Sequence, residues 1–198
     1  MSATPASAPL PRAFALSEEG ERRAHAIVVR YPSALAATLP LLWLVQEEKG
    51  WISAAAMEWV AERVGCSPAA VQAVVTFYTM FDDRPVGRWK LQVCRTLSCE
   101  LMGARAIVDR LRERLGVEPG ETTADGLFTL QEVECLGSCG TAPMMQVNLK
   151  FYENLTPGRV DALLDDLRAR TPAWDDVEPV VYDRPTDAEY AAMWPKRK

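Results

Sequence analysis

Two cysteine pairs carry the chemistry that can be read from this chain. Cys94 and Cys99 form a C-x4-C pair, and Cys135 and Cys139 form a C-x3-C pair. Four thiolates drawn from two short loops suit one [2Fe–2S] cluster, which takes two per iron. Gly137 and Gly140 lie within and just after the second pair. A backbone free to curl there can aim N–H groups at cluster sulfurs. Structural zinc also accepts four cysteines, but its closed sites mostly use a C-x2-C hook that neither pair supplies. Thiol–disulfide exchange of thioredoxin type needs C-x-x-C, which is absent. Cys66, the fifth cysteine, precedes a helix cap without a nearby partner and reads as a buried small apolar residue. His25 is the single histidine and lies far upstream, so a mixed Cys/His zinc site and a Cys–His nucleophile are both poorly supplied. It reads as a surface or packing residue.

The elements around the pairs explain how they could meet. Trp89, Leu91 and Val93 alternate with Lys90 and Gln92, which is strand periodicity. Residues 102–115 carry a helical stripe of Ala104, Ile107, Val108, Leu111 and Leu115. A loop around 116–126 leads to a strand from Phe128 to about Glu134, then to short strands at 144–147 and 150–152. A final amphipathic helix at about 158–170 shows Val160, Leu163, Leu164 and Leu167. Each cysteine pair directly follows a strand, so adjacent parallel strands would bring both to one edge of one sheet. The order β-α-β-β-β-α predicts a small open sheet with helices packed on it, most economically thioredoxin-like.

Upstream, four helical segments are expected. They start after Ser17, near Thr38, after Ser53 and at Ser67-Pro68, with Gly50 and Gly65 as stops. Together they form a small N-terminal helical bundle. The fold class is therefore α+β. Its parts are a disordered leader at 1–13, the bundle at 14–81, the thioredoxin-like domain at 86–170 and an extended tail at 171–198. The tail holds Trp174, Tyr182, Tyr190 and Trp194, so a solvated tail and a partner-binding segment are equally good readings.

Composition excludes several functions. Among 198 residues the net charge is −5, which leaves no basic stripe for nucleic acid. The longest apolar run, 34–45, spans 12 residues and contains Pro40, too short to cross a bilayer. No signal-peptide pattern is seen, and a cytoplasmic location is expected. No G-x-G-x-x-G follows a strand and no P-loop occurs. No catalytic residue is assigned, no complete active site is expected on this chain alone, and electrons must come from another protein.

At these residues the chain resembles the thioredoxin-like [2Fe–2S] subunit family of bacterial NADH–quinone oxidoreductase (respiratory complex I). The resemblance rests on ECLGSCGTAPMMQVN at 134–148 and YENL at 152–155, with PLLWLVQEE at 40–48 and TFYTMF at 76–81. It covers about residues 20–170, and Cys94, Cys99, Cys135 and Cys139 all match the family's ligand positions. Thr141 stands where asparagine is common, and Leu149 is an unusual turn residue; neither change removes a ligand. The resemblance implies a peripheral-arm subunit on the cytoplasmic side of the inner membrane, without direct membrane insertion. Its partners would be an FMN- and NADH-binding flavoprotein subunit and other arm subunits. The cluster would exchange single electrons with that FMN. The matching subunit of an NAD-linked hydrogenase or formate dehydrogenase, and a free-standing thioredoxin-like ferredoxin, are the competing readings. Thioredoxin-like folds often carry a cis-proline near such a loop, which makes Pro143 the candidate.

Overall fold

The computed structural model describes residues 14–171 and 178–193. The leader at 1–13 and the tail tryptophans Trp174 and Trp194 lie outside the described residues. The chain divides into two units, Met1–Pro85 and Val86–Lys198.

The first unit is helical, with α1 (Glu18–Val29), α2 (Thr38–Lys49), α3 (Ala54–Val64) and α4 (Pro68–Phe77). Serine hydroxyls start three of these helices. Ser17 accepts from the Gly20 amide, Ser53 from Ala56 and Ser67 from Ala70, each satisfying a donor that the first turn leaves free. Helix α2 is apolar round most of its circumference, burying Leu41, Leu42, Leu44 and Val45, so it occupies the centre. The buried Gln46 amide donates to Met80 O at 2.8 Å and accepts from Asp82 N at 2.7 Å, tying the exit of the unit back to α2. His25 is exposed and Cys66 is half-buried against the core's edge, so Cys66 is less buried than its sequence context suggests.

In the second unit the strands are β1 (Trp89–Cys94), β2 (Phe128–Val133), β3 (Met145–Val147), β4 (Lys150–Glu153) and β5 (Val180–Val181). The helices are α5 (Leu97–Leu101), α6 (Ala104–Leu115), α7 (Pro157–Ala169) and α8 (Asp187–Met193). The sheet order is β2-β1-β3-β4-β5. Strands β1 and β2 run parallel, with Cys94 opposite Val133. Strands β3 and β4 form an antiparallel hairpin, and Asn148 at its turn takes φ 53°. Helices α6 and α7 cover the sheet, and Leu91, Ile107, Leu111, Leu130 and Leu164 fill the core between them. Trp89 Nε1 donates to Leu167 O at 2.8 Å, fastening the end of α7 to the start of β1.

Several details depart from the sequence pattern. Strand β1, central between β2 and β3, alternates apolar and polar residues, yet all six are buried. Gln92 there meets Gln131 of β2 at 3.3 Å. The short helix α5 has no counterpart in the pattern. Within the segment read as an extended tail, β5 pairs parallel with β4, and α8 buries Met193 in the core. Met193 Cβ would lie 2.8 Å from a Cβ on Gly103, which also has φ 97°, so glycine is needed there twice over. The loop before β2 folds along that strand's outer edge. Gly120 N donates to Leu130 O at 2.7 Å, Leu130 N to Glu121 O at 3.1 Å and Thr123 N to Phe128 O at 2.8 Å.

Candidate metal centre

The parallel pairing of β1 and β2 aligns their C-terminal ends, and each strand runs directly into a cysteine loop. Cys94 is the last residue of β1, and Cys99 sits one turn further on in α5. Cys135 follows the end of β2, and Cys139 opens a 3-10 turn over Cys139–Thr141. Further bonds join the two loops: Arg95 N donates to Val133 O at 3.0 Å, and the Arg95 guanidinium meets the Glu134 carboxylate at 2.7 Å.

Inside each pair the thiols are neighbours. Cys135 Sγ and Cys139 Sγ lie 3.9 Å apart. Two thiolates on one tetrahedral metal, each ~2.3 Å from it, would be ~3.8 Å apart. The Cys94 and Cys99 thiols are close enough to influence one another's proton affinity. Among the described residues no group of three or more His, Cys, Asp or Glu side chains surrounds one metal position. Two pairs suit two metal ions with a pair each, which is the demand of a [2Fe–2S] cluster.

Burial divides the thiols. Cys94 and Cys99 are buried, while Cys135 and Cys139 are exposed. At Cys94 burial pushes the thiol up, but hydrogen bonds from the Thr96 and Leu136 amides outweigh it and the pKa falls. The Leu136 amide comes from the other cysteine loop, so the loops meet at this sulfur. At Cys99 burial, reinforced by the neighbouring Cys94 thiol, pushes the thiol up to about 12. The Met144 amide works against that rise, and Met144 O accepts from Cys94 N at 3.3 Å. The preceding Ala142–Pro143 peptide is cis, at the proline singled out from the sequence. Gly137 has φ 86° with nothing within 4 Å of a built Cβ, so its requirement is conformational; Gly140 shows no such requirement.

Sequence reasoning overlooked the polar residues around the thiols. The Thr96 hydroxyl is fully buried with no hydrogen-bond partner, yet lies beside Cys94 and lowers its proton affinity. A buried hydroxyl with no acceptor fits a site whose sulfur carries more charge once metal is bound. Ser138 and Glu153 also meet behind the second pair. Hydroxyls between cysteines are too common in sequences to signal this.

Comparison with known proteins adds independent findings. The model of the thioredoxin-like [2Fe–2S] ferredoxin family matches residues 24–168. NADH-quinone oxidoreductase subunit 2 of Thermus thermophilus is 52% identical over 135 residues, covering 68% of this chain and 75% of that protein. A subunit of the NADH-quinone oxidoreductase of Mycobacterium bovis is 45% identical over 146 residues, covering 74% of this chain and 58% of that protein. Among solved structures, a NAD+-reducing [NiFe]-hydrogenase in the H2-reduced state gives a TM-score of 0.59 at 23% identity. That match covers 66% of this chain and 23% of the hydrogenase chain, and is a likeness of fold.

Proposed function

The chain belongs to the thioredoxin-like [2Fe–2S] ferredoxin family, and from this premise we propose that it is the iron–sulfur electron-transfer subunit of an NADH–quinone oxidoreductase. Cys94, Cys99, Cys135 and Cys139 would hold one [2Fe–2S] cluster. The observation that carries this reading is the meeting of two cysteine loops at the ends of parallel strands, joined by the Arg95 N to Val133 O hydrogen bond. Such a cluster, when bound, supplies a one-electron couple within the roughly −700 to +450 mV range of Fe–S proteins.

The chain's own residues supply placement and insulation. Amide donors favour the charged sulfurs, and the buried side of the site, at Cys94 and Cys99, keeps water away. The exposed side, at Cys135 and Cys139, faces outward and is the side for exchange with a partner. That partner would be a flavoprotein subunit carrying FMN and NADH, joined by other peripheral-arm subunits. The arm would stand on the cytoplasmic side of the membrane; among the described residues no helix is long and apolar enough to cross one. Identities of 52% and 45% to NADH-quinone oxidoreductase subunits favour this reading over a hydrogenase or formate dehydrogenase subunit.

Anaerobic purification with iron, sulfide and EPR analysis tests the proposal. About two irons and two sulfides per chain, with an S = 1/2 signal after dithionite, are expected. A colourless chain with one zinc would overturn it. Cys139→Ala should abolish or severely destabilise the cluster, whereas Cys66→Ala should leave the spectrum unchanged. NADH reduction of the cluster only in the presence of the co-purified flavoprotein would support the partner assignment.

A further inference from the structure

Glu153 closes β4, is 7% exposed, and has no part in the functions described so far. Its Oε1 accepts a hydrogen bond from Ser138 Oγ at 2.5 Å. Ser138 Oγ in turn lies 2.7 Å from Thr141 Oγ1, which also has Ser138 O within 3.2 Å. A hydroxyl has one proton and an ionised carboxylate only accepts. The chain of hydroxyls therefore runs one way, from Thr141 to Ser138 to Glu153. Ser138 immediately precedes Cys139, and both it and Thr141 belong to the loop that carries the second cysteine pair.

The backbone beside Glu153 holds the same loop. Asn154 N donates to Thr141 O at 2.7 Å, and Leu155 N donates to Pro143 O at 2.8 Å. Within the loop the backbone contributes Thr141 N to Ser138 O at 3.2 Å. Cys135 and Cys139 are exposed and receive little support from packing. The hydroxyl chain therefore ends on a group anchored in the sheet.

We propose that Glu153 is the positioning residue of the second cysteine pair: through Ser138 it fixes the loop from which Cys135 and Cys139 project, and it sets a negative charge beside the site. The inference rests on the cluster reading above. Glu153 acts through Ser138, the partner of its carboxylate. A buried charge is weakly screened, so it opposes the arrival of an electron nearby. Glutamine at this position keeps an acceptor oxygen for Ser138 and removes the charge, which separates bracing from electrostatics.

The test uses the full chain, purified anaerobically as wild type, Glu153→Gln, Glu153→Ala and Ser138→Ala. Three quantities are measured: iron and sulfide content, the rate of iron loss to a chelator, and the midpoint potential by EPR-monitored titration. Glu153→Gln is expected to hold iron as the wild type does, with a raised potential. Glu153→Ala and Ser138→Ala are expected to lose iron about tenfold faster. Should Glu153→Ala not fold, Ser138→Ala carries the bracing test by itself. Wild-type iron loss in Ser138→Ala, or an unmoved potential in Glu153→Gln, would overturn the inference while leaving the cluster intact. A wild-type chain that binds no iron would overturn the cluster reading, and this inference with it.

Discussion

Cys99 and Cys135 differ in what a reagent can reach, and the metal-free chain should reveal it. Cys99 is buried with its thiol pushed up to about 12, so at pH 8 it is protonated as well as shielded. Iodoacetamide at that pH should modify Cys135 and Cys139 first, as read by peptide mass mapping; equal labelling of all four would contradict the described burial. Thr96 permits a second test. Its hydroxyl is poised beside Cys94, and a hydrogen bond to sulfur favours the reduced, more negative state. Thr96→Val should lower the potential by up to a tenfold change in the one-electron equilibrium, about 59 mV, and Thr96→Ser should restore it. Spacing alone pointed to the four cysteines. It carried no information on which two are buried, because that depends on α5 and the Met144 segment folding over one pair. Glu153 lay within a recognised stretch, but its contact with Ser138 arises only when β4 comes alongside the cysteine loop.

Helix α7 is held to α6 by Asp161, which accepts from Arg110 at 2.9 and 2.7 Å and meets Arg114 at 2.8 Å. The Arg110 hydrogen bonds hold the Asp161 carboxyl below the usual range. A depressed folded-state pKa adds stability above the unfolded value of about 3.9, and that stability is lost as pH falls through the folded value. Asp161→Asn should therefore cost ~1 kcal/mol at pH 7 in urea unfolding, a partly exposed pair being screened, and the gap should close as pH falls below the folded value. Gln46 makes a sharper demand. Gln46→Leu leaves Met80 O and Asp82 N without their partner, and should destabilise the helical unit by about 2–4 kcal/mol in the same assay. Three of the four helices of the first unit were legible from their caps: Ser17, Ser53 and Ser67 all bond as their positions require. The five residues of α5 were not, since so short a helix shows no period. Alternation in β1 marked a strand, and only the structure shows that its polar positions are buried as well.

Each of the two units has its own core, so damage to one should leave the other's local stability intact. Removing residues 178–198 tests this. It would delete β5 and α8 and strip Asn154 Nδ2 of its bond to Tyr182 O, which measures 2.8 Å. Hydrogen exchange should then quicken at 152–155 and leave α1–α4 unchanged; quickened exchange throughout would mean that the units fold as one. The aromatic residues of this segment were visible in the sequence, and Tyr182 and Tyr190 pack against the chain's own second core. An apolar side chain in a proline-rich stretch looks the same whether it is covered by its own chain or by another.

The loop that lies along β2 has a further consequence. An uncovered strand at a sheet's border is a template on which a second molecule can add its own strand, and the addition can repeat without limit. Here Gly120, Glu121 and Thr123 already occupy the outward-facing backbone groups of Phe128 and Leu130, while at the opposite border β5 offers only two residues. The growing stack therefore has little to start from at either border of this sheet.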